Sequence, residues 1–363
     1  MTPIKVVLIL SLIASAVVGR PSQDEKRLIK ISPEDSGTWL TEDEIFSLIR
    51  KNINFIDITG RVFPTDVHKA STTEIPVSLR FQSTIVPALA RVNISRMQAF
   101  VDAFDNFTNR YYLSATGVDS SDWLLAQVSD SIANTNYNGT AVANSFLHSW
   151  PQNSVIARIE GSDPELRQEV IIFGAHMDSI NGLNPSGPSP GSDDNASGSV
   201  TLLEALRVIL ESGIVPKRSI EFQWYAAEEV GLRGSGDIAQ SYFTGGKNVV
   251  GMVNFDVVGY QAGANEITFL SDNTDATLTT FLKLVTDEYC TYPWVSDVCG
   301  YACSDHASFN QYGFRAACSS ERPLNPYMHT TSDTMSRMSF PQIAEFVKMT
   351  VGAAIEIAEP TTV

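Results

Sequence analysis

Three short apolar runs in this sequence end on the same kind of residue. Val170 to Phe173 leads into Gly174-Ala175-His176-Met177-Asp178, Ile220 to Tyr225 into Ala226-Ala227-Glu228-Glu229, and Val249 to Val253 into Asn254-Phe255-Asp256. Runs of this length read as strands of a sheet covered on both faces, and open α/β sheets build their sites just past the carboxyl ends of such strands. Val155 to Ile159 and Ile267 to Leu270 are further strand candidates. Ser95 to Phe107, Ser121 to Ile132, Ser199 to Glu211 and Ala276 to Tyr289 carry helical periodicity. The alternation predicts an α/β fold of three layers, α/β/α, with a central mixed, mostly parallel twisted sheet.

A chain of 363 residues with 43% hydrophobic content can fill a large core. Its net charge of -16 and pI near 4.7 exclude a nucleic-acid partner, because the phosphate backbone rewards clustered Lys and Arg. At the amino end, Lys5, the apolar run Val6 to Leu12 and the small residues Ala14, Ser15, Ala16 and Gly19 follow the order of an export signal, read as residues 1–19. No other run approaches membrane length, so the expectation is a secreted, extracellular protein with no membrane partner. Residues 20–77 are charged and weakly patterned, with a dibasic Lys26-Arg27, and read as a pro-segment. The globular domain is expected over 78–363. Export makes the sequons at Asn93, Asn106 and Asn138 glycosylation candidates. It also allows Cys299 and Cys303, with three residues between them, to close a tight disulfide. Asn195 is expected to stay bare, because a glycan there would crowd the candidate ligands.

Two loops add chemistry to the strand ends: Asp193, in PSGPSPGSDDNASG ahead of a helix, and His329, in YMHTTSD. The resulting set is two His and three carboxylates, with one acid to spare if Glu228 and Glu229 divide their labour. Imidazole and oxygen donors suit zinc. Packed carboxylates without cations repel, whereas two divalent ions leave a first shell of roughly +1, which favours bound hydroxide near neutral pH. One carboxylate must then bridge. Adjacent acids in extended chain point apart, so one can ligate while the other serves as base. The rival pattern Gly187-Pro188-Ser189-Pro190-Gly191 fits a nucleophilic serine by letter only, since the flanking prolines forbid the strand-to-helix elbow. His306 reads as structural.

GAHMDS, PGSDDNASG, YAAEEVGLRGS, NFDVVGY, CGYACSDHASF and HTTSDT, in this order, resemble the secreted two-zinc aminopeptidases, in particular the fungal leucine aminopeptidases. The resemblance implies a zinc-peptidase fold of the phosphorylase/hydrolase type and two Zn2+ per chain. Asp193 would bridge, with His176 and Asp256 completing one site and Glu229 and His329 the other. It further implies Glu228 as general base for a bridging hydroxide, Asp178 as the carboxylate that orients His176, the Tyr301 hydroxyl as oxyanion donor, and a cis peptide at Asp193-Asp194. Substrates would be peptides with a free, apolar N-terminal residue such as leucine, held near Val257, Tyr301, Cys303, Met328, Cys318 and Phe269. The chain would act as a monomer, with its own pro-segment as partner.

Overall fold

A computed structural model describes residues 25–64 and 71–361. The expected export signal, residues 1–19, lies outside them. Residues 25–64 form β1 (Arg27–Lys30), β2 (Thr38–Leu40), α1 (Glu42–Arg50) and β3 (Ile56–Asp57), a small antiparallel sheet in the order β2-β1-β3 beside one helix. Thr41 and Glu44 cap α1 reciprocally. From residue 82 the elements are α2 (Gln82–Leu89), α3 (Ile94–Phe104), α4 (Ala115–Ala133), β4 (Ala141–Phe146), β5 (Ser154–Ile159), β6 (Glu169–His176), α5 (Gly198–Glu211), β7 (Ser219–Tyr225), α6 (Arg233–Thr244) and β8 (Asn248–Phe255). They continue with β9 (Ile267–Leu270), α7 (Ala276–Tyr289), β10 (Trp294–Asp297), α8 (His306–Gln311), β11 (Ala316–Ser320) and α9 (Phe340–Ala358).

Eight strands form one sheet in the order β10-β9-β11-β8-β6-β7-β5-β4. Its centre, β11-β8-β6-β7, is parallel, and β10 also runs parallel to β9. The β11-β9, β7-β5 and β5-β4 pairings are antiparallel. The expected mixed α/β sheet is therefore present. The central strands are buried on both faces, as continuous apolar runs require. Helices α5 and α9 pack together into the main core with Phe173, Phe222 and Phe255. Ile75 belongs to that same core, and Arg315 donates to the Ser71 and Thr73 carbonyls, so the body of the fold already includes residues ahead of position 78.

The amino-terminal unit borrows its core from the body: Ile45, Phe46, Ile49 and Phe55 pack with Tyr111, Tyr112, Trp150 and Val230. Arg27 Nη1 donates to the Val230 carbonyl at 2.9 Å and to Asp57 at 3.3 Å, and Arg233 pairs with the same Asp57 oxygen at 3.3 Å. The Asp57 N–H donates to the Gly231 carbonyl at 3.0 Å. Only glycine fits at 231, where φ is +111° and a Cβ would stand 2.9 Å from the Asp57 nitrogen. The unit is thus fastened to the loop that carries Glu228 and Glu229.

Candidate metal centre

Register brings the strand-end residues to one edge. His176 closes β6 opposite Tyr225, so Ala226 to Glu229 lie just past β7, and Ser319 pairs with Phe255, the residue before Asp256. The loop after β6 turns through Ser192–Ser197 into α5 and delivers a further acid. His329 arrives on a loop with left-handed backbone (φ +58°), as do Ala227 and Val257 (φ +56° and +48°). Side-chain-bearing residues pay for that conformation, and its concentration here marks a functional region.

The acid between the imidazoles is Asp194. Its Oδ1 lies 3.2 Å from His176 Nε2 and its Oδ2 3.1 Å from His329 Nε2. Asp256 Oδ1 stands 3.2 Å from His176 Nε2, and Glu229 Oε2 2.9 Å from His329 Nε2. Two overlapping donor groups result, His176-Asp194-Glu229 and His176-Glu228-Asp256.

The expectation that Asp193 takes the bridging place is corrected. At Asp194 the backbone leaves helical geometry (φ -105°, ψ 89°), so the neighbouring side chains diverge. Asp193 Oδ1 turns inward to accept from the N–H groups of Gly259 at 2.8 Å and Tyr260 at 3.1 Å, while its Oδ2 is buried without a hydrogen-bond partner among the described residues. Burial and the Asp193 charge push Glu321 well above the usual carboxyl range. The cis peptide is Asp194-Asn195 rather than Asp193-Asp194.

Asp178 supports more than His176. Its carboxylate oxygens accept the Glu228 N–H at 3.0 Å and the Glu229 N–H at 3.3 Å, while His176 Nδ1 faces the Asp178 carbonyl at 3.2 Å and its carboxylate at 3.6 Å. Tyr301 does not reach the cleft. Its hydroxyl accepts from Gln311 at 3.4 Å, and its ring packs on Ile56, Leu232, Ala302 and Ala307, where Ile56 comes from the amino-terminal unit. Cys299 and Cys303 form a disulfide. His306 is buried, its Nε2 donating to the Asp272 carbonyl at 3.0 Å, as a structural histidine would. Asn93, Asn106 and Asn138 are exposed. Asn195 is enclosed and donates to the Phe255 carbonyl at 2.8 Å, so burial is what closes that sequon.

The acid density is costly. Burial and the Asp194 charge raise Glu229 to about 7, and burial lifts Asp305 to about 8. Burial, with Asp256 and Glu229 nearby, takes Glu228 well above the carboxyl range. Burial opposes ionisation of Asp194 too, but hydrogen bonds from His176 and His329 outweigh it and hold its carboxyl well below that range. Both histidines, though buried, are drawn toward the charged form by facing carboxylates. Glu229 Oε1 is buried with no partner. Oxygen and imidazole donors that converge, repel and leave an oxygen unpaired fit bound divalent metal, which relieves all three conditions.

Asp194, Glu228, Glu229, Asp256 and His329 line a cleft of about 750 Å3. Its lining also includes Val257, Leu270, Cys303, Cys318 and Met328, together with Ile49, Ile53 and Phe55 of the amino-terminal unit. Four of the expected pocket residues, Val257, Cys303, Cys318 and Met328, are in place, while Phe269 lies in the core. Arg110 and Asp333 carried no signal in the sequence, because they meet the loops of His176 and Asp194 across 67 to 140 residues of chain.

An α/β sheet presenting these donors at its carboxyl edge defines a metal-dependent hydrolase. The chain belongs to peptidase family M28, whose profile matches residues 154–354, and is a metallopeptidase. It is 39% identical to the "Probable leucine aminopeptidase 1" of Trichophyton verrucosum over 97% of this chain and 99% of that one. It is also 39% identical to a leucine aminopeptidase 1 of Coccidioides posadasii, over 93% and 91%. Among solved structures, the LapA aminopeptidase of Legionella pneumophila superposes with a TM-score of 0.79 at 28% identity, covering 91% of this chain and 93% of that one.

Proposed function

We propose that this protein is a secreted aminopeptidase that removes apolar N-terminal residues such as leucine from peptides, using two zinc ions. The observation that carries the two-ion reading is Asp194, whose two oxygens face different histidines. His176, Asp194 and Asp256 would hold one ion, and Asp194, Glu229 and His329 the other. Zinc, when bound, polarises a carbonyl and lowers the pKa of water. Glu228 is the proton carrier: its carboxyl lines the cleft beside His176 and Asp256, and Asp178 fixes its backbone N–H. The apolar lining from Val257 to Met328 receives the N-terminal side chain. Fungal relatives named leucine aminopeptidases support the substrate class.

Residues 1–19 are read as the export signal and the stretch from 20 as a pro-segment that partners the catalytic body and ends ahead of Ser71, because Ile75 and the carbonyls held by Arg315 belong to that body. Arg27 is 8% exposed, so a cut at Lys26-Arg27 requires the unit to open. Glycans belong on Asn93, Asn106 and Asn138, and the enzyme acts as a monomer.

The test is metal analysis of the secreted protein together with a substrate panel. The expected result is two zinc per chain, release of nitroaniline from leucine p-nitroanilide, loss of turnover in EDTA and recovery with zinc. One zinc per chain with cyclisation of N-terminal glutamine, or cleavage inside N-blocked peptides, contradicts the proposal.

A further inference from the structure

Behind the cleft, two buried side chains tie together the loops that carry His176, Asp194 and His329. Arg110, fully enclosed, donates from Nε to the Met177 carbonyl at 2.7 Å, from Nη2 to the Gly191 carbonyl at 2.8 Å and from Nη1 to the Pro190 carbonyl. Met177 follows His176, and Pro190 and Gly191 open the turn that delivers Asp194. The guanidinium is held over the Phe104 ring, its Cζ 4.3 Å from the centroid. Asp333, also fully enclosed, works from the other side. Its Oδ1 accepts from the Asp193 N–H at 3.2 Å and Asn325 Nδ2 at 3.0 Å, and its Oδ2 accepts from the Asp194 N–H at 3.0 Å. Asp333 shares its loop with His329.

The packing leaves no slack. Gly191 has φ +58°, and a Cβ there would stand 2.4 Å from the Asp194 carbonyl oxygen and 2.7 Å from Arg110 Nη2. Neither Arg110 nor Asp333 lines the cleft.

We propose that Arg110 and Asp333 are positioning residues: a buried frame, one half joining the His176 loop to the Asp194 loop, the other joining the Asp194 loop to the His329 loop, that sets the ligand separation and hence zinc affinity. The proposal rests on the zinc reading above. A planar guanidinium fork holds three carbonyls in fixed directions, which an ammonium cannot. Partners of this kind behind a metal site typically govern affinity by about 10–100-fold.

The experiment compares Arg110→Lys, Asp333→Asn and the unaltered protein, each as the secreted chain, by zinc competition with a chromophoric chelator and by melting of the metal-free form. The expected result is zinc affinity about 10–100-fold weaker in both variants, with KM for leucine p-nitroanilide at saturating zinc within about twofold of the unaltered enzyme and the lost turnover recovered as zinc is raised. A merely structural role would lower the metal-free melting temperature and leave the folded protein's zinc affinity unchanged, and that outcome overturns the proposal. If Arg110→Lys does not fold, Asp333→Asn, which removes one acceptor at constant size, decides it. If the unaltered protein binds no zinc, the zinc reading itself fails, a result distinct from equal affinities across all three proteins.

Discussion

The carboxylates at this site form two layers that differ in what their oxygens meet. Facing the cleft, Asp194, Glu229 and Asp256 stand against imidazole nitrogens. Behind them, Asp178, Asp193 and Asp333 accept backbone N–H groups from Glu228, Glu229, Gly259, Tyr260, Asp193 and Asp194. An oxygen committed to backbone donors is not available to a cation. Ligand and support are therefore separated by where N–H groups converge, even between neighbours as alike as Asp193 and Asp194.

The largest expected effect breaks chemistry without touching either layer. Glu228→Gln should lose about 10²–10⁴ in kcat, the range for a positioned proton carrier, while metal analysis finds the zinc content unchanged. Near-normal turnover would remove Glu228 from its role. Asp178→Asn strikes the supporting layer, leaving one of two backbone N–H groups without its charged acceptor. Zinc affinity should fall by about 10–100-fold, read by chelator competition. Unchanged affinity would show that the layers are not connected through Asp178. Asp57→Ala leaves both layers intact and loosens the amino-terminal unit by removing the partner of Arg27 and Arg233. Urea denaturation should show a loss of about 2 kcal/mol, with faster proteolysis of residues 25–64. Smallest is Asn93→Ala, which deletes the cap of α3, whose Oδ1 accepts the Arg96 N–H at 3.2 Å. The cost should be about 1 kcal/mol in denaturation of enzymatically deglycosylated protein, with turnover unaltered.

The central strands were legible because strands buried on both faces read as unbroken apolar runs. β4 and β10, at the sheet edges and partly exposed, and β11, built of Ala, Cys and Ser, carry no such signal. His176, Glu228, Glu229, Asp256 and His329 were legible from their positions past strands or in a single loop. Asp194 was not separable from Asp193, because the deciding donors, Gly259 and Tyr260, lie 66 and 67 residues away. The frame of Arg110 and Asp333 rests on contacts 67 to 140 residues apart in the chain. The amino-terminal unit looked unpatterned because its strands are two to four residues long and its core is completed by the body of the protein.

Zinc counting on Asp194→Ala and Asp193→Ala, side by side with the unaltered enzyme, tells the ligand layer from the supporting layer. Asp194→Ala should retain at most one ion and no measurable turnover, whereas folded Asp193→Ala should still take up two ions at saturating zinc, with lowered affinity. Two ions in Asp194→Ala, or their selective loss from folded Asp193→Ala, would contradict that division.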